Sequence, residues 1–112
     1  MKLLVREYLT ADGKSPYRMW LDTLGPSAKA RAQARVLRFE TGNLGDHKSV
    51  GGGVWEARLM FGPGYRIYFG TAGRSIIILL VGGTKGSQAK DIERAQRYWA
   101  DYVEATTHGK TQ

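Results

Sequence analysis

The feature that most constrains the fold is a series of alternating apolar segments, divided by glycine-rich turns, between residues 54 and 81. In residues 54–61, one face carries Trp55, Ala57, Leu59 and Phe61, and the other carries Val54, Glu56, Arg58 and Met60. Gly62-Pro63-Gly64 separates this segment from Tyr65–Phe69, which alternates in the same way. After a second turn at 70–73, residues 74–81 are apolar on both faces, as expected of a central strand. This period of two predicts an antiparallel meander of three or four strands.

Helical signals lie on both sides of the meander. Ser15-Pro16 combines an N-cap serine with a proline at the first helical position, and predicts a short helix over 16–24. Residues 25–27 break that helix and start another, which runs to about Thr41 and stops at Gly42-Asn43. So short a break predicts a helical hairpin.

The remaining elements complete the fold class. Residues 2–9 are typical of a first strand, and Ser87 is expected to cap a last helix with one apolar face. The order is strand, two helices, meander and helix. It predicts an α+β protein with an antiparallel-rich sheet of four to five strands, the helical hairpin on one face and a C-terminal helix. We expect a single domain over 1–106 and a frayed polar tail over 107–112.

Charge and composition narrow the classes of function. The net charge of +7 on 112 residues favours a polyanionic partner, either nucleic acid or an acidic protein segment, although such charge can also serve solubility alone. The chain has no cysteine, and His47 and His108 are far apart, so we expect neither a metal nor another cofactor. No segment has the length of a membrane span or the form of a signal peptide, and we expect a cytoplasmic protein without membrane contact.

Two arginines are candidates for phosphate binding. If Phe61 pairs with Tyr65 across the turn, Arg58 faces Tyr68, and Arg58 and Arg66 become diagonal neighbours with Cβ atoms about 7–8 Å apart. Arginines fixed on strands can present bidentate donors to phosphate.

Other charged residues belong to the same predicted face or its ends. Lys48 precedes the hairpin, Lys85 follows the central strand, and Glu56 lies on the arginine face. The alternative is a solvated face on which Glu56 pairs with one of the arginines. The glycine-rich run 82–87 lacks the full phosphate-loop pattern, so a nucleotide triphosphatase is rejected.

The second predicted helix carries a basic stripe. Arg31, Arg35 and Arg38 follow the spacing i, i+4, i+7 and so share one face. The stripe can lie along a nucleic-acid backbone or against an acidic partner, but for the stripe alone an ordinary solvated helix face is the better explanation.

Several blocks together resemble a known family. They are Trp20-Leu21, residues 42–48, residues 54–58, Gly62-Pro63-Gly64-Tyr65-Arg66-Ile67-Tyr68-Phe69, residues 82–88 and Asp91-Ile92. This set resembles the "addiction module killer protein" branch of the RelE/ParE toxins, which is related to the HigB-type proteins. The resemblance spans about residues 3 to 100.

The resemblance implies a RelE-like fold and a cognate antitoxin, in this branch often a helix-turn-helix protein. It implies metal-independent cleavage of mRNA on the ribosome, in which the 2′-hydroxyl attacks the adjacent phosphate. Arg66 matches the family's phosphate-binding arginine, Arg58 a basic position on the preceding strand, and Lys85 the basic position after the central strand. Tyr68 is expected to replace a stacking tyrosine that the family has after that strand.

Further roles follow from the same resemblance. Glu56 stands where the best-known RelE proteins have lysine, and we interpret it as a candidate general base. Gln88, Lys48 and the helix stripe are expected to bind RNA. The alternatives are a ParE-like inhibitor of DNA gyrase without nuclease activity, and a toxin fold that has become an inactive binding module.

Overall fold

The computed structural model describes residues 2–110, with side chains described through Thr107. The strands are β1 (Leu4–Glu7), β2 (His47–Gly51), β3 (Val54–Leu59), β4 (Tyr65–Ala72) and β5 (Ile76–Thr84). The helices are α1 (Pro16–Leu21), α2 (Pro26–Glu40) and α3 (Gln88–Lys110), and a 3₁₀ turn, Lys85–Ser87, leads into α3.

The five strands form one mixed sheet in the order β1-β5-β4-β3-β2. β1 pairs in parallel with β5, and the other neighbours are antiparallel. The α+β class, the five-stranded sheet and the C-terminal helix are therefore confirmed. The parallel pairing brings the first strand of the chain beside the last.

Local signals explain where α1 begins and ends. The Ser15 side chain accepts a 3.0 Å hydrogen bond from the Arg18 amide, and Pro16 occupies the first turn, as the sequence predicts. The helix ends at Leu21, before the predicted 24, because the amides of Thr23 and Leu24 bond to carbonyls three residues back and tighten the chain into turns.

The sheet has an apolar core on each face. One core joins α1 and α2 to the sheet and contains Tyr17, Leu21, Ala32, Phe39, Ala57, Leu59, Ile67, Phe69, Ile77 and Leu79. The other joins α3 to the sheet and contains Tyr8, Val54, Tyr68, Ile78, Leu80, Val81 and Ala95. The alternation predicted for β3 and β4 thus separates two buried faces.

The helices differ from prediction in three respects. The helical hairpin is not confirmed, because α1 packs chiefly on β5 and α2 on β1. The face that carries Glu56 is covered by α3 and is not an open cationic surface. The helix α3 runs through Lys110, so the expected polar tail is helical over 107–110, and 111–112 lie outside the described residues.

The hairpin register also differs from prediction. Leu59 pairs with Tyr65, and Arg58 lies directly opposite Arg66, because the loop spans five residues, 60–64, instead of three.

β4 and β5 extend through glycines that were assigned to turns. Gly70 and Gly82 lie in strands because indole rings pack on their backbones, Trp99 on Gly70 and Trp20 on Gly82, where a side chain would collide.

Candidate functional site

Arg66 on β4 is the central cation of the candidate site. Its side chain is mostly buried, with 8% of the residue exposed, and its Nε lies 3.8 Å from Glu56 Oε2. Within the part of the chain that the structure describes, this Nε has no hydrogen-bond partner. The Nε is itself buried, so Glu56 acts on the guanidinium through charge, without a hydrogen bond.

Glu56 is held in a buried polar network under α3. It is fully buried, and its Oε2 accepts hydrogen bonds from Tyr68 Oη at 3.1 Å and Gln88 Nε2 at 2.7 Å. Burial, and then the charge of Glu56, raise the pKa of Tyr68 well above its usual range, so this hydroxyl stays protonated and donates. The network joins β3, β4 and the start of α3.

Gly64 brings Arg66 and Lys85 together. Its φ of +76° lies in the left-handed region. A Cβ on Gly64 would stand 3.4 Å from Lys85 Cβ and 4.0 Å from Arg66 Nη1. The turn before β4 and the turn after β5 therefore meet, and the Arg66 guanidinium and the Cβ of Lys85 border the backbone of Gly64.

Hydrogen bonds at both ends hold the turn that carries Lys85. The Thr84 amide donates to Ser87 Oγ at 3.2 Å, and Ser87 Oγ donates to Asp91 Oδ2. Asp91 is buried beneath the turn, against Gly83. Lys85 itself is exposed on a fixed backbone, so its ammonium group can approach a ligand from solvent.

Arg58, across the strand pair from Arg66, is directed to the end of the sheet. Its Nη2 donates to Asp46 Oδ1 at 3.0 Å, and this hydrogen bond holds the pKa of Asp46 below its usual range. The pair is partly exposed, so solvent screens it. The two arginines therefore share a cross-strand position but have different carboxylate partners.

The predicted basic stripe of α2 is divided by burial. Arg35 is 9% exposed and donates to the carbonyl oxygens of Leu44, Asp46 and Arg58 at 2.7–3.3 Å. Its guanidinium satisfies backbone acceptors, which accounts for this residue without an RNA contact. Arg31 and Arg38 are exposed, as the stripe requires.

A groove lies between α2 and the end of β3. It has a volume of about 360 Å³, and its lining includes Arg31, Arg38, Arg58 and Met60. The guanidinium of Arg31 stands 4.8 Å over the Phe61 ring. The groove therefore combines exposed guanidinium groups with apolar contact surface.

The remaining predicted residues occupy different surroundings. Lys48 pairs with Glu56 across β2 and β3 but is exposed at the sheet edge. Tyr68 is fully buried, so the expected stacking role does not fit its position. The side-chain amide of Gln88 donates a hydrogen bond to Glu56, and Gln88 is only partly exposed. Arg58, Arg66, Glu56 and Lys85 are the predicted site residues that the fold brings to one end of the sheet.

Sequence reasoning did not assign roles to three residues that shape this site. Gly64 was recognised only as part of a turn, and the glycines on both sides of Pro63 were the available signal. Asp46 and Asp91 lie in blocks that carry the family resemblance, but no role was assigned to them, because their contacts with Arg58 and Ser87 depend on the tertiary fold.

The described residues hold neither a candidate metal cluster nor a membrane-spanning helix. No group of three or more His, Cys, Asp or Glu side chains converges there in a way that could hold a metal ion. No described helix is both long enough and apolar enough to cross a membrane.

Fold and site together define an α+β protein with a cationic, carboxylate-braced site at one end of a mixed sheet. Over 97 residues the chain is 40% identical to a protein of Haemophilus influenzae (strain ATCC 51907 / DSM 11121 / KW20 / Rd), covering 86% of this chain and 92% of the relative. That relative is described as "Uncharacterized protein", and the chain belongs to its family. No model of a known protein family matches the chain.

Proposed function

We propose that the protein is the toxin of a type II toxin–antitoxin pair. In this proposal it is a RelE/ParE-type endoribonuclease with a RelE-like fold, which cuts mRNA on the ribosome in the cytoplasm. The observation that supports this best is the approach of Arg66 and Lys85 on either side of Gly64, with Arg58 across the strand pair. Cations that can gather about one phosphate are what a phosphodiester transition state requires.

The proposed reaction is an internal phosphoryl transfer. The 2′-oxygen of one nucleotide forms a bond to the adjacent phosphorus, and the bond to the 5′-oxygen of the next nucleotide breaks. A base takes the proton of the 2′-hydroxyl, and an acid protonates the departing 5′-oxygen. The products are a 2′,3′-cyclic phosphate and a 5′-hydroxyl. Arg66 and Lys85 stabilise the charge that develops on the non-bridging oxygens.

Glu56 acts through Arg66 in this proposal. Its complete burial and its hydrogen bonds to Tyr68 and Gln88 keep it from the substrate, so we assign it a positioning role in place of the general base suggested by sequence. In this proposal the carboxylate, 3.8 Å from the Arg66 Nε, attracts the guanidinium and so favours one position of its side chain.

The groove beside α2 extends the cationic surface. Arg31, Arg38 and Arg58 line it and are accessible to phosphate groups of the mRNA or of ribosomal RNA. Lys48 lies farther along the sheet edge and adds another positive charge to this surface. Arg35 supports this surface from below through its bond to the Arg58 carbonyl.

A cognate antitoxin is the second expected partner. The net charge of +7 favours an acidic or amphipathic segment, and the resemblance to the killer-protein branch points to a helix-turn-helix protein. Covering Arg66 and Lys85 would exclude RNA from the site.

The proposal is tested in a purified translation system with a defined mRNA, by primer extension and analysis of the RNA ends. The protein should cut within translated codons and leave 2′,3′-cyclic phosphates. Arg66→Ala should remove the cuts. Arg74→Ala is the matched control, because Arg74 is an exposed arginine in the turn between β4 and β5 and should leave cleavage unchanged.

Two results would overturn the assignment. Cleavage of the mRNA by a folded Arg66→Ala protein would show that Arg66 does not belong to the cleavage site. Intact mRNA together with loss of gyrase supercoiling would move the protein to the ParE-like class.

A further inference from the structure

Two arginines of the groove beside α2 carry no ion pair. Arg31 and Arg38 are exposed, and neither lies within ion-pair distance of a carboxylate in the part of the chain that the structure describes. Arg58, which also lines the groove, is bound to Asp46 at 3.0 Å. The groove therefore carries more positive charge than Asp46 balances, which favours an anionic ligand.

The same groove has an aromatic and apolar wall. Phe61 and Met60 belong to its lining, and 84% of the surface of Met60 is exposed. The central carbon of the Arg31 guanidinium stands 4.8 Å from the centre of the Phe61 ring. Because Arg31 is exposed, the side of its guanidinium that faces away from the ring is open to a ligand. Nucleobases stack on arginine in this way.

We propose that this groove binds one nucleotide of a single-stranded RNA, with the base stacked on the Arg31 guanidinium and the neighbouring phosphates bound by Arg38 and Arg58. A nucleotide combines negative charge with a flat face, whereas a run of carboxylates supplies the charge alone. The groove volume of about 360 Å³ lies at the lower end of the range for small-ligand sites, about 300–1,000 Å³, and suits a single nucleotide.

The groove shares a loop with the candidate cleavage site. Phe61 and Gly64 both belong to the loop 60–64, and the Gly64 amide donates a 3.1 Å hydrogen bond to the Phe61 carbonyl. Phe61 lines the groove, and Gly64 borders the Arg66 guanidinium and the Cβ of Lys85. Arg31 is thereby assigned as a specificity-determining residue for the base near the cut, an inference that rests on the proposed function for its choice of RNA.

The test compares two single-stranded hexamers on the full chain by fluorescence anisotropy at one salt concentration. The first is 2′-O-methyl adenosine, which has no free 2′-hydroxyl and so cannot be cut by the proposed reaction. The second has the same sugar–phosphate backbone without bases. We expect the adenosine hexamer to bind at least about fivefold more tightly than the abasic hexamer, because only the first can stack.

Two conservative variants locate the stacking. Arg31→Lys keeps the charge but loses the planar group, and the ratio of the two affinities should fall to less than about twofold. Arg38→Lys is the matched control, because Arg38 is an exposed arginine of the same groove for which no aromatic ring contact is described. It should weaken both hexamers alike and leave the ratio as in the native protein.

Four outcomes would contradict the stacking site. Equal affinities of the native protein for the two hexamers would show that the groove binds phosphate alone. An unchanged ratio in Arg31→Lys would place the base elsewhere, and an equal loss in Arg38→Lys would trace the ratio to guanidinium groups in general. Displacement of the adenosine hexamer by a glutamate hexapeptide, as readily as by unlabelled hexamer, would assign the groove to an acidic protein segment.

The stacking site and the nuclease fail separately, because hexamer binding is measured without the ribosome. Base-dependent binding that Arg31→Lys removes, by a protein that leaves translated mRNA intact, would support the stacking site and reject only the nuclease. Cleavage of translated mRNA by a protein that does not prefer the adenosine hexamer would reject only the stacking site.

Discussion

Nη1 of Arg35, on α2, donates a 2.7 Å hydrogen bond to the carbonyl oxygen of Arg58, at the end of β3. The same guanidinium bonds to the carbonyls of Leu44 and Asp46 in the loop before β2. One buried side chain therefore joins helix, loop and strand beneath the arginine groove. The position of Arg58 depends on it.

Replacing Arg35 should destabilise the fold. Arg35→Ala leaves three carbonyl oxygens without their donor and should lower the free energy of unfolding by about 2–4 kcal/mol. Arg38→Ala, on the exposed part of the same helix, should change it by less than about 0.5 kcal/mol. Urea denaturation measures both. If Arg35→Ala and Arg38→Ala changed the free energy of unfolding equally, the structural role assigned to Arg35 would be wrong.

Gly64 should be required for cleavage beyond its effect on stability. Gly64→Ala and Gly73→Ala both place a side chain at positive φ, and each should cost about 1–2 kcal/mol in unfolding experiments. Only the first adds a methyl group beside Lys85 and Arg66, since a Cβ on Gly73 meets nothing within 4 Å. RNA cleavage should fall about tenfold in Gly64→Ala alone. A similar loss in Gly73→Ala would trace the defect to the fold.

Glu56→Gln should separate positioning from base catalysis. The variant keeps an acceptor for Tyr68 and Gln88 but removes the charge that faces Arg66. We expect kcat to fall about tenfold while its pH profile keeps its shape, because the proton-transferring group is elsewhere. Loss of the acidic limb of that profile would instead make Glu56 the base.

Stability should decrease at alkaline pH because of Tyr8. Burial, together with its 2.6 Å hydrogen bond to Asp101, raises the pKa of Tyr8 from 10.0 to about 12. The folded state favours the protonated phenol, so this stabilisation is complete below pH 10 and is lost as the pH rises through 12.

Unfolding in urea at a series of pH values measures the effect of Tyr8. Tyr8→Phe should flatten the decline between pH 10 and 12 without abolishing it. Burial also raises the pKa of Tyr17 to about 12, so a part of the decline remains. An unchanged slope in Tyr8→Phe would contradict the prediction.

Neutralising Asp46 should strengthen RNA binding. Asp46→Asn weakens its hold on Arg58 and leaves that guanidinium available to phosphate. Asp22→Asn is matched in charge and exposure, and Asp22 pairs with Lys29 on the helical side of the protein. Fluorescence anisotropy with a short single-stranded RNA should show tighter binding and a steeper salt dependence for Asp46→Asn only. Equal gains would indicate a non-specific effect of net charge.

Sequence patterns predicted the faces of the strands better than their pairing. Alternation places Glu56 and Arg58 on one face and Ala57 on the other, and the structure agrees. The predicted register was wrong by two residues, because Gly62-Pro63-Gly64 forms only the last part of a five-residue connection. Periodicity gives the face of a residue, whereas the register depends on loop geometry.

The site shows a second limit of sequence patterns. The spacing of Arg31, Arg35 and Arg38 gives a common helix face, but it does not show that Arg35 meets loop carbonyls. Glu56 accepts a hydrogen bond from Gln88, which is distant in sequence. Contacts of that kind arise from the tertiary fold.

The parallel pairing of β1 with β5 has a consequence for synthesis. Leu4–Glu7 finds its partner only after Ile76–Leu79 has left the ribosome, so closure of the sheet waits for most of the chain. The cations at Arg66 and Lys85 reach their final arrangement in that same late step, since β4 is held between β3 and β5. If the protein is the ribonuclease proposed above, a nascent chain therefore gains activity only when its own translation is nearly finished.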